Sequence, residues 1–277
     1  MVDNRPATST VAELVRRLDR PQVHYVAESR KGLSRTRNAG LAAARGALVV
    51  FTDDDVQPAD GWLAALAEPF ADPTVACVTG MIVPRHVRTA AERWFEQFGG
   101  YAKGDVRRRF TLDSAVEEGL YPFRAGRFGS GANLAFRRES LAAVGGFEET
   151  LGAGTPARGG EDLDIFLTLL RAGHSLVYQP AAQVAHQSHA EYRNLRRQLF
   201  GYGVGLSATM TKRFLTCGPD RRAMLRTAGA AARYLLSRDS PKNRGRMPDY
   251  PRALIAAELA GVLLGPPAFL CSRLARR

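Results

Sequence analysis

Apolar runs and helical repeats alternate along the first two thirds of the chain. "QVHYVA" (22–27) reads as a strand. "SRTRNAGLAAARG" (34–46) has the spacing of a helix, with Ser34 at its cap and Gly46 past its end, and "ALVVFT" (47–52) is apolar enough for a strand buried on both faces. A helix is predicted over 59–70 and another strand over 75–83. This alternation predicts an α/β fold, a mainly parallel sheet flanked by helices on both faces. Beyond residue 190 the pattern becomes helical throughout: 191–215, interrupted by Gly201, Gly203 and Gly205; 220–238, dense in Arg; and 252–277, an apolar stretch holding Glu258 and broken by Pro266 and Pro267. Two units are expected, a body over 1–189 and a helical tail over 190–277.

The strand over 47–52 runs straight into Asp53, Asp54 and Asp55. Three adjacent carboxylates repel one another unless a positive charge sits among them. Asp60 already offers a cap for the following helix, so capping does not require them. In such sheets ligands bind at the carboxyl ends of strands. Hard carboxylate oxygens suit Mg²⁺ or Mn²⁺, whose remaining ligands are water and substrate phosphate. A metal–diphosphate site is therefore expected there.

A second constellation is "GTPARGGEDLDIFLTLLRAGHSL" (154–176). A Gly-rich loop runs into a helix whose first turn carries Glu161, Asp162 and Asp164, with Ile165, Phe166, Leu169 and Leu170 as its buried stripe. Acids in a first turn complement the helix dipole. The preceding loop reads as a flexible segment that orders over a substrate and places a carboxylate as general base.

Charge sharpens the division. Residues 1–189 carry 22 Lys+Arg and 22 Asp+Glu, whereas 190–277 carry 17 and 5, so the whole net charge of +12 lies in the tail. A basic tail suggests an anionic partner surface, acidic phospholipid or nucleic acid. Tyr192, Phe200, Tyr202, Phe214 and Tyr234 fall in no RNA-binding signature, which argues against nucleic acid. With Glu258 and two prolines, 252–277 reads as an interfacial helix rather than an uninterrupted span. Cys77, Cys217 and Cys271 form no CxxC pair, and the first residues hold no apolar leader, so a cytoplasmic protein is expected, peripheral at the inner face of the plasma membrane. There is no GxxxxGK phosphate loop and no GxSxG elbow.

In order, strand–DDD, "GSGANLAFRRESLAAVGGFEE" (129–149), "GGEDLDIFLTLLRAG" (159–173) and "VYQPAAQVAHQSH" (177–189) resemble the inverting family 2 glycosyltransferases of GT-A fold, over roughly residues 1–205. The resemblance implies a nucleoside-diphosphate sugar as donor, Mg²⁺ or Mn²⁺ as cofactor, and a saccharide or lipid-linked acceptor such as an envelope glycan. It implies that Asp53 faces the ribose and Asp55 the metal, with Asp54 between them on the nucleotide side. Asp162 becomes the catalytic base, and Glu161 joins Gly131 and Asn133 on the acceptor side. Arg37 and Asn38 are expected at the nucleotide, Arg35 less so; His186 is a further metal ligand, ahead of His189. Trp62 is expected to be core, and Trp94 is a candidate for sugar stacking. A nucleotidyltransferase of related fold is the competing reading, although the Gly-rich basic loop of that class is missing.

"MVDNRPATST" resembles the end of that family's second strand, with Asp3 in the nucleotide-contacting position and Thr8 or Ser9 capping the next helix. The expectation is a chain lacking a first strand–helix unit of about 30 to 40 residues, poorly stable and weak or inactive as a transferase. Donor base, sugar and acceptor are not legible. They are expected to depend on the loop 84–128.

Overall fold

The structure, a computed structural model, describes residues 1–114 and 119–275. Residues 115–118 of the expected specificity loop and the terminal arginines 276–277 lie outside the described residues. The chain opens with β1 (Val2–Asn4), α1 (Thr10–Leu18) and β2 (Val26–Glu28); β1 and β2 pair in parallel as a two-stranded ribbon. Next come α2 (Leu33–Ala43), β3 (Leu48–Thr52), β4 (Val56–Pro58), α3 (Trp62–Ala67), β5 (Val75–Pro84), α4 (Ala90–Phe98), β6 (Arg108–Phe110), β7 (Asn133–Arg137), α5 (Arg138–Ala143), α6 (Glu161–Arg171) and β8 (Ser175–His186). The six strands from β3 on form one sheet in the order β3-β7-β5-β8-β4, with β6 also on β8.

The α/β class with helices flanking the sheet is as expected, but the sheet is mixed. Within it β5 and β8 run parallel, whereas β7 is antiparallel to both β3 and β5, and β4 and β6 are antiparallel to β8. The cause is the long excursion between β5 and β7. It ends beside Thr52, at the edge where β3 also ends, so the chain enters β7 at Asn133 and must run back. Hydrophobic periodicity carries no direction, so this reversal could not be read from it.

Helix α6 packs Ile165, Phe166, Leu169 and Leu170 on one sheet face, against Cys77, Leu134, Phe136 and Tyr178. Leu66 and Phe70 cover the other face over Val75, Val78, Ala135 and Val177. Two expected caps differ. Ser34 lies inside α2, buried, its hydroxyl donating to Leu151 O at 2.9 Å, and Gly32 occupies the cap position. Gly61 rather than Asp60 precedes α3.

The tail folds as α7 (Tyr192–Thr216), α8 (Gly218–Leu236) and α9 (Arg252–Ala275). Neither the glycines nor the prolines interrupt these helices, contrary to expectation. Gly203 on α7 and Gly261 and Gly265 on α9 form the surface where the two helices meet backbone to backbone. Proline's φ is compatible with a helix, and what it removes is a backbone donor. Gly205 touches the start of α6 in the same way: a Cβ there would lie 2.8 Å from the Gly159 carbonyl carbon. Among the described residues α9 is the one helix long and apolar enough to cross a membrane by length and composition, with mean hydropathy 1.8. Its Glu258 is buried and bonded by Lys242 at 2.6 Å and Arg246 at 3.4 Å.

Candidate functional site

The turn after β3 and the last residue of β8 come together because β4, which follows the aspartates, pairs with the end of β8 and sets Val56 opposite His186. One oxygen each of Asp53 and Asp55 and one ring nitrogen of His186 lie within 4.8 Å of one another. His186 Nε2 is 3.4 Å from Asp55 Oδ1, and its buried Nδ1 has no hydrogen-bond partner. Burial pushes the Asp53 carboxyl above the usual range, Arg37 and His186 pull it down, and Asp55 and Asp54 push it up again. A cluster of oxygen and imidazole donors, one of them costly to ionise alone, fits Mg²⁺ or Mn²⁺. Asp54 is exposed, and His189 is exposed outside the cluster.

A second group lies at the start of α6. Arg37 is 5% exposed and donates through Nη1 to Glu161 Oε1 at 2.9 Å and through Nη2 to Gly131 O at 3.1 Å, with its guanidinium over the Phe147 ring. Burial pushes the Glu161 carboxyl up, as does Asp162, while Arg37 opposes both. Gly131 N donates to Asp162 Oδ2 at 3.1 Å, and Leu163 N donates to Asp162 Oδ1 at 2.8 Å. A Cβ at Gly131 would fall 2.5 Å from Arg37 Nη2, so a side chain there would push the guanidinium off the Gly131 carbonyl. Asp162 is thus held by two backbone donors, half-exposed, with lone pairs left to accept a proton.

Four expected residues engage partners within the protein. Asn133 is fully buried: its amide donates to Met81 O and Ala182 O and accepts from Trp62 Nε1, so it ties β5, β8 and α3 together instead of facing an acceptor. Asn38 clamps the Phe147 backbone at both N and O. Arg35 pairs with Glu149 at 3.3 Å. Asp3 lies on the β1–β2 ribbon, where the Tyr25 hydroxyl donates to it at 3.3 Å. Trp62 is core, as read, and Trp94 meets Asp249 and the edge of Tyr192.

The loop over 151–160 is docked rather than free. Leu151 and Ala157 are buried with Ala208 and Phe269; Ala157 N donates to Ser272 Oγ at 3.2 Å and Thr209 Oγ1 to Gly160 O at 2.9 Å. The tail helices therefore hold the segment that delivers Glu161 and Asp162.

Sequence reasoning missed the wall between the two groups. The Tyr101 ring packs edge-on to His186 at 5.1 Å, and its hydroxyl is 2.9 Å from that of Tyr202. Lys103 donates to Gly100 O at 3.2 Å; burial lowers its pKa to about 8, against the pull of Glu96 and Asp162. "GGYAKG" (99–104), a tyrosine and a lysine between glycines, was the signal available.

Residues 1–145 match the family described as Glycosyl transferase family 2. The Pre-mycofactocin glycosyltransferase of Mycobacterium tuberculosis is 32% identical over 237 residues, 83% of this chain and 44% of that protein. This chain belongs to glycosyl transferase family 2. The Succinoglycan biosynthesis protein ExoM of Rhizobium meliloti is 27% identical over 69% of this chain and 56% of its own length, so the chain spans about half the length of the curated relatives it matches. The solved structure of the mannosyltransferase PcManGT from Pyrobaculum calidifontis, in complex with GDP-Man and Mn²⁺, aligns with 99% of this chain and 70% of its own at a TM-score of 0.54 and 21% identity, which identifies the GT-A fold.

Proposed function

We propose that this family member transfers a sugar from a nucleoside-diphosphate sugar to an acceptor hydroxyl with inversion. The observation that carries this reading is the convergence of two groups: Asp53, Asp55 and His186 at the carboxyl end of β3, and Asp162 held by Gly131 N at the start of α6. Mn²⁺ and a nucleotide sugar in the similar mannosyltransferase support the cofactor and donor class.

Asp53, Asp55 and His186 would hold Mg²⁺ or Mn²⁺, which when bound neutralises charge on the diphosphate. Asp162 accepts the proton of the acceptor hydroxyl while that oxygen attacks the anomeric carbon opposite the departing diphosphate, and a single displacement inverts the centre. Arg37 keeps Glu161 paired beside Asp162, so the base is not left next to an uncompensated carboxylate. The test is release of UDP or GDP from a panel of nucleotide sugars with Mn²⁺, with calorimetry of nucleotide binding. Failure to bind any nucleotide in the presence of Mn²⁺ would sink the reading.

The tail supports attachment to an anionic membrane surface, and with it a lipid-linked or envelope-glycan acceptor reached from the cytoplasmic side. Leu263, Leu264, Leu270 and Leu274 are 78%, 50%, 48% and 67% exposed on α9, and Arg252 and Arg273 are exposed on the same helix. The buried ion pairs of Glu258 favour a helix lying on the surface over one crossing it.

A further inference from the structure

We propose that Ser240, Lys242, Arg246 and Tyr250, in the segment joining α8 to α9, bind one phosphate monoester group, carried by a lipid headgroup or free as inorganic phosphate. None of these residues takes part in the transfer chemistry, so the proposal does not depend on it. Lys242 Nζ and Arg246 Nη2 donate to the same oxygen, Glu258 Oε2, at 2.6 Å and 3.4 Å. Two positive charges thus converge on one buried carboxylate. The acids of the segment itself do not redress the balance: Asp249 accepts from Trp94 Nε1 at 3.2 Å, and Asp239 is exposed. Burial lowers the Lys242 pKa although Glu258 pulls it up, so the excess charge is held where water solvates it poorly.

The hydrogen-bonding groups point to the same ligand. Arg246 Nε, Tyr250 Oη and Ser240 Oγ are buried and have no hydrogen-bond partner within the protein. The Arg246 side chain, Tyr250 and Ser240 are 8%, 7% and 6% exposed. Unpaired buried donors are costly, and a ligand that accepts from them recovers that cost. The Arg246 guanidinium lies over the Tyr250 ring at 4.9 Å and Lys242 Nζ over the Phe98 ring at 5.6 Å, so aromatic faces wall both charged heads. Donors on four side chains outnumber the two oxygens of a carboxylate and suit the three terminal oxygens of a phosphate monoester. Asn243 ties the turn together, its N donating to Ser240 O at 2.9 Å and its O accepting from Arg246 N at 3.1 Å. Its buried Oδ1 is also unpartnered, an acceptor for the hydroxyl of a singly protonated phosphate. Arg244 and Met247 of the same turn are exposed, which places the group at the surface.

The experiment is thermal unfolding of the full chain in metal-free buffer against millimolar inorganic phosphate, for wild type, Arg246→Met and Tyr250→Phe. A ligand of the folded state raises Tm with its concentration. The phosphate affinity drawn from that rise should fall at least about tenfold in both variants. Without phosphate neither variant should melt earlier, because Lys242 still pairs with Glu258 and a Phe ring fills the place of Tyr250 in its core cluster. If Arg246→Met does lose stability, Tyr250→Phe decides. Sedimentation with phosphatidylcholine vesicles carrying phosphatidic acid, or phosphatidylglycerol at matched surface charge, separates the two sources. Excess binding to phosphatidic acid that Tyr250→Phe abolishes identifies the lipid headgroup. Equal binding to both vesicles, with the phosphate-dependent rise in Tm intact, identifies the free anion. No rise in phosphate together with no preference for phosphatidic acid would overturn the proposal, as would identical responses of wild type and Tyr250→Phe.

Discussion

Arg37 and Glu161, 124 residues apart in sequence, form a buried ion pair at 2.9 Å whose other arm reaches the Gly131 carbonyl. Removing one partner of a buried pair strands the other, at a cost of about 3–5 kcal/mol. Arg37→Met is therefore expected to lose stability of that order by urea denaturation at neutral pH. The sign follows from Glu161, whose folded carboxyl is already raised by burial. Without Arg37 it rises further, so the loss is largest above that raised value and shrinks as acid protonates Glu161.

Asp162→Asn can keep one of the two backbone hydrogen bonds, from Gly131 or from Leu163, but cannot accept a proton from the acceptor. Transfer should fall by about 10²–10⁴-fold, the usual contribution of a general base. Nucleotide affinity by calorimetry should stay within a few fold. An active Asn variant would take Asp162 out of the role.

Lys103 supplies a pH signature. Its folded pKa of about 8 lies below the ordinary lysine value of 10.5, mainly through burial. Between those values the unfolded chain holds the proton that the folded one has released, so Lys103 makes stability rise with pH across that window. In transfer, an alkaline decline near pH 8 is expected as the charge facing Asp162 and Glu96 disappears. Lys103→Arg should carry the plateau to higher pH, since guanidinium stays charged. A pH–rate profile with the same alkaline limb in Lys103→Met would exclude this residue as its source.

On the proposed reading, Asp53 and His186 set the metal dependence. Because burial raises the Asp53 carboxyl, a proton competes with the cation at a higher pH than it would at an ordinary aspartate. Apparent Mn²⁺ affinity should drop by about tenfold per pH unit below that pKa, for one proton displaced. His186→Ala should raise the Mn²⁺ needed for half-maximal activity by at least about tenfold. Manganese titration at two pH values checks both.

Leu263→Asp with Leu270→Asp should abolish sedimentation with phosphatidylglycerol vesicles, because each places a charge on the exposed face of α9. Circular dichroism should be unchanged, since neither side chain is buried. A wild-type chain that stays in the supernatant at low salt would count against a membrane role for the tail.

The parts of the site legible in the sequence are those in which one short segment carries the chemistry. Asp53 to Asp55 closed a buried strand, and Glu161 and Asp162 opened an amphipathic helix, so position and residue type could be read together. Asn133 misled because an amide suited to a ligand is equally suited to stray backbone groups. Burial decides between the two, and burial is a property of the fold. Tyr101 and Tyr202 were illegible for another reason: each is ordinary alone, and the segment after α4 meets α7 only in three dimensions. Gly203 and Gly205 looked like interruptions, but they are the points where α7 touches α9 and the start of α6.

The contacts from Thr209 to Gly160 and from Ser272 to Ala157 bear on how such a protein can be recombined. An anchoring segment that merely follows an enzyme can be exchanged for another's without disturbing catalysis. Here the two side chains that grip the loop leading to Asp162, the proposed base, belong to the tail helices themselves. A chimera carrying a relative's tail would inherit a different grip, and drift in α7 or α9 must be matched by drift over 151–160 for the reaction to survive.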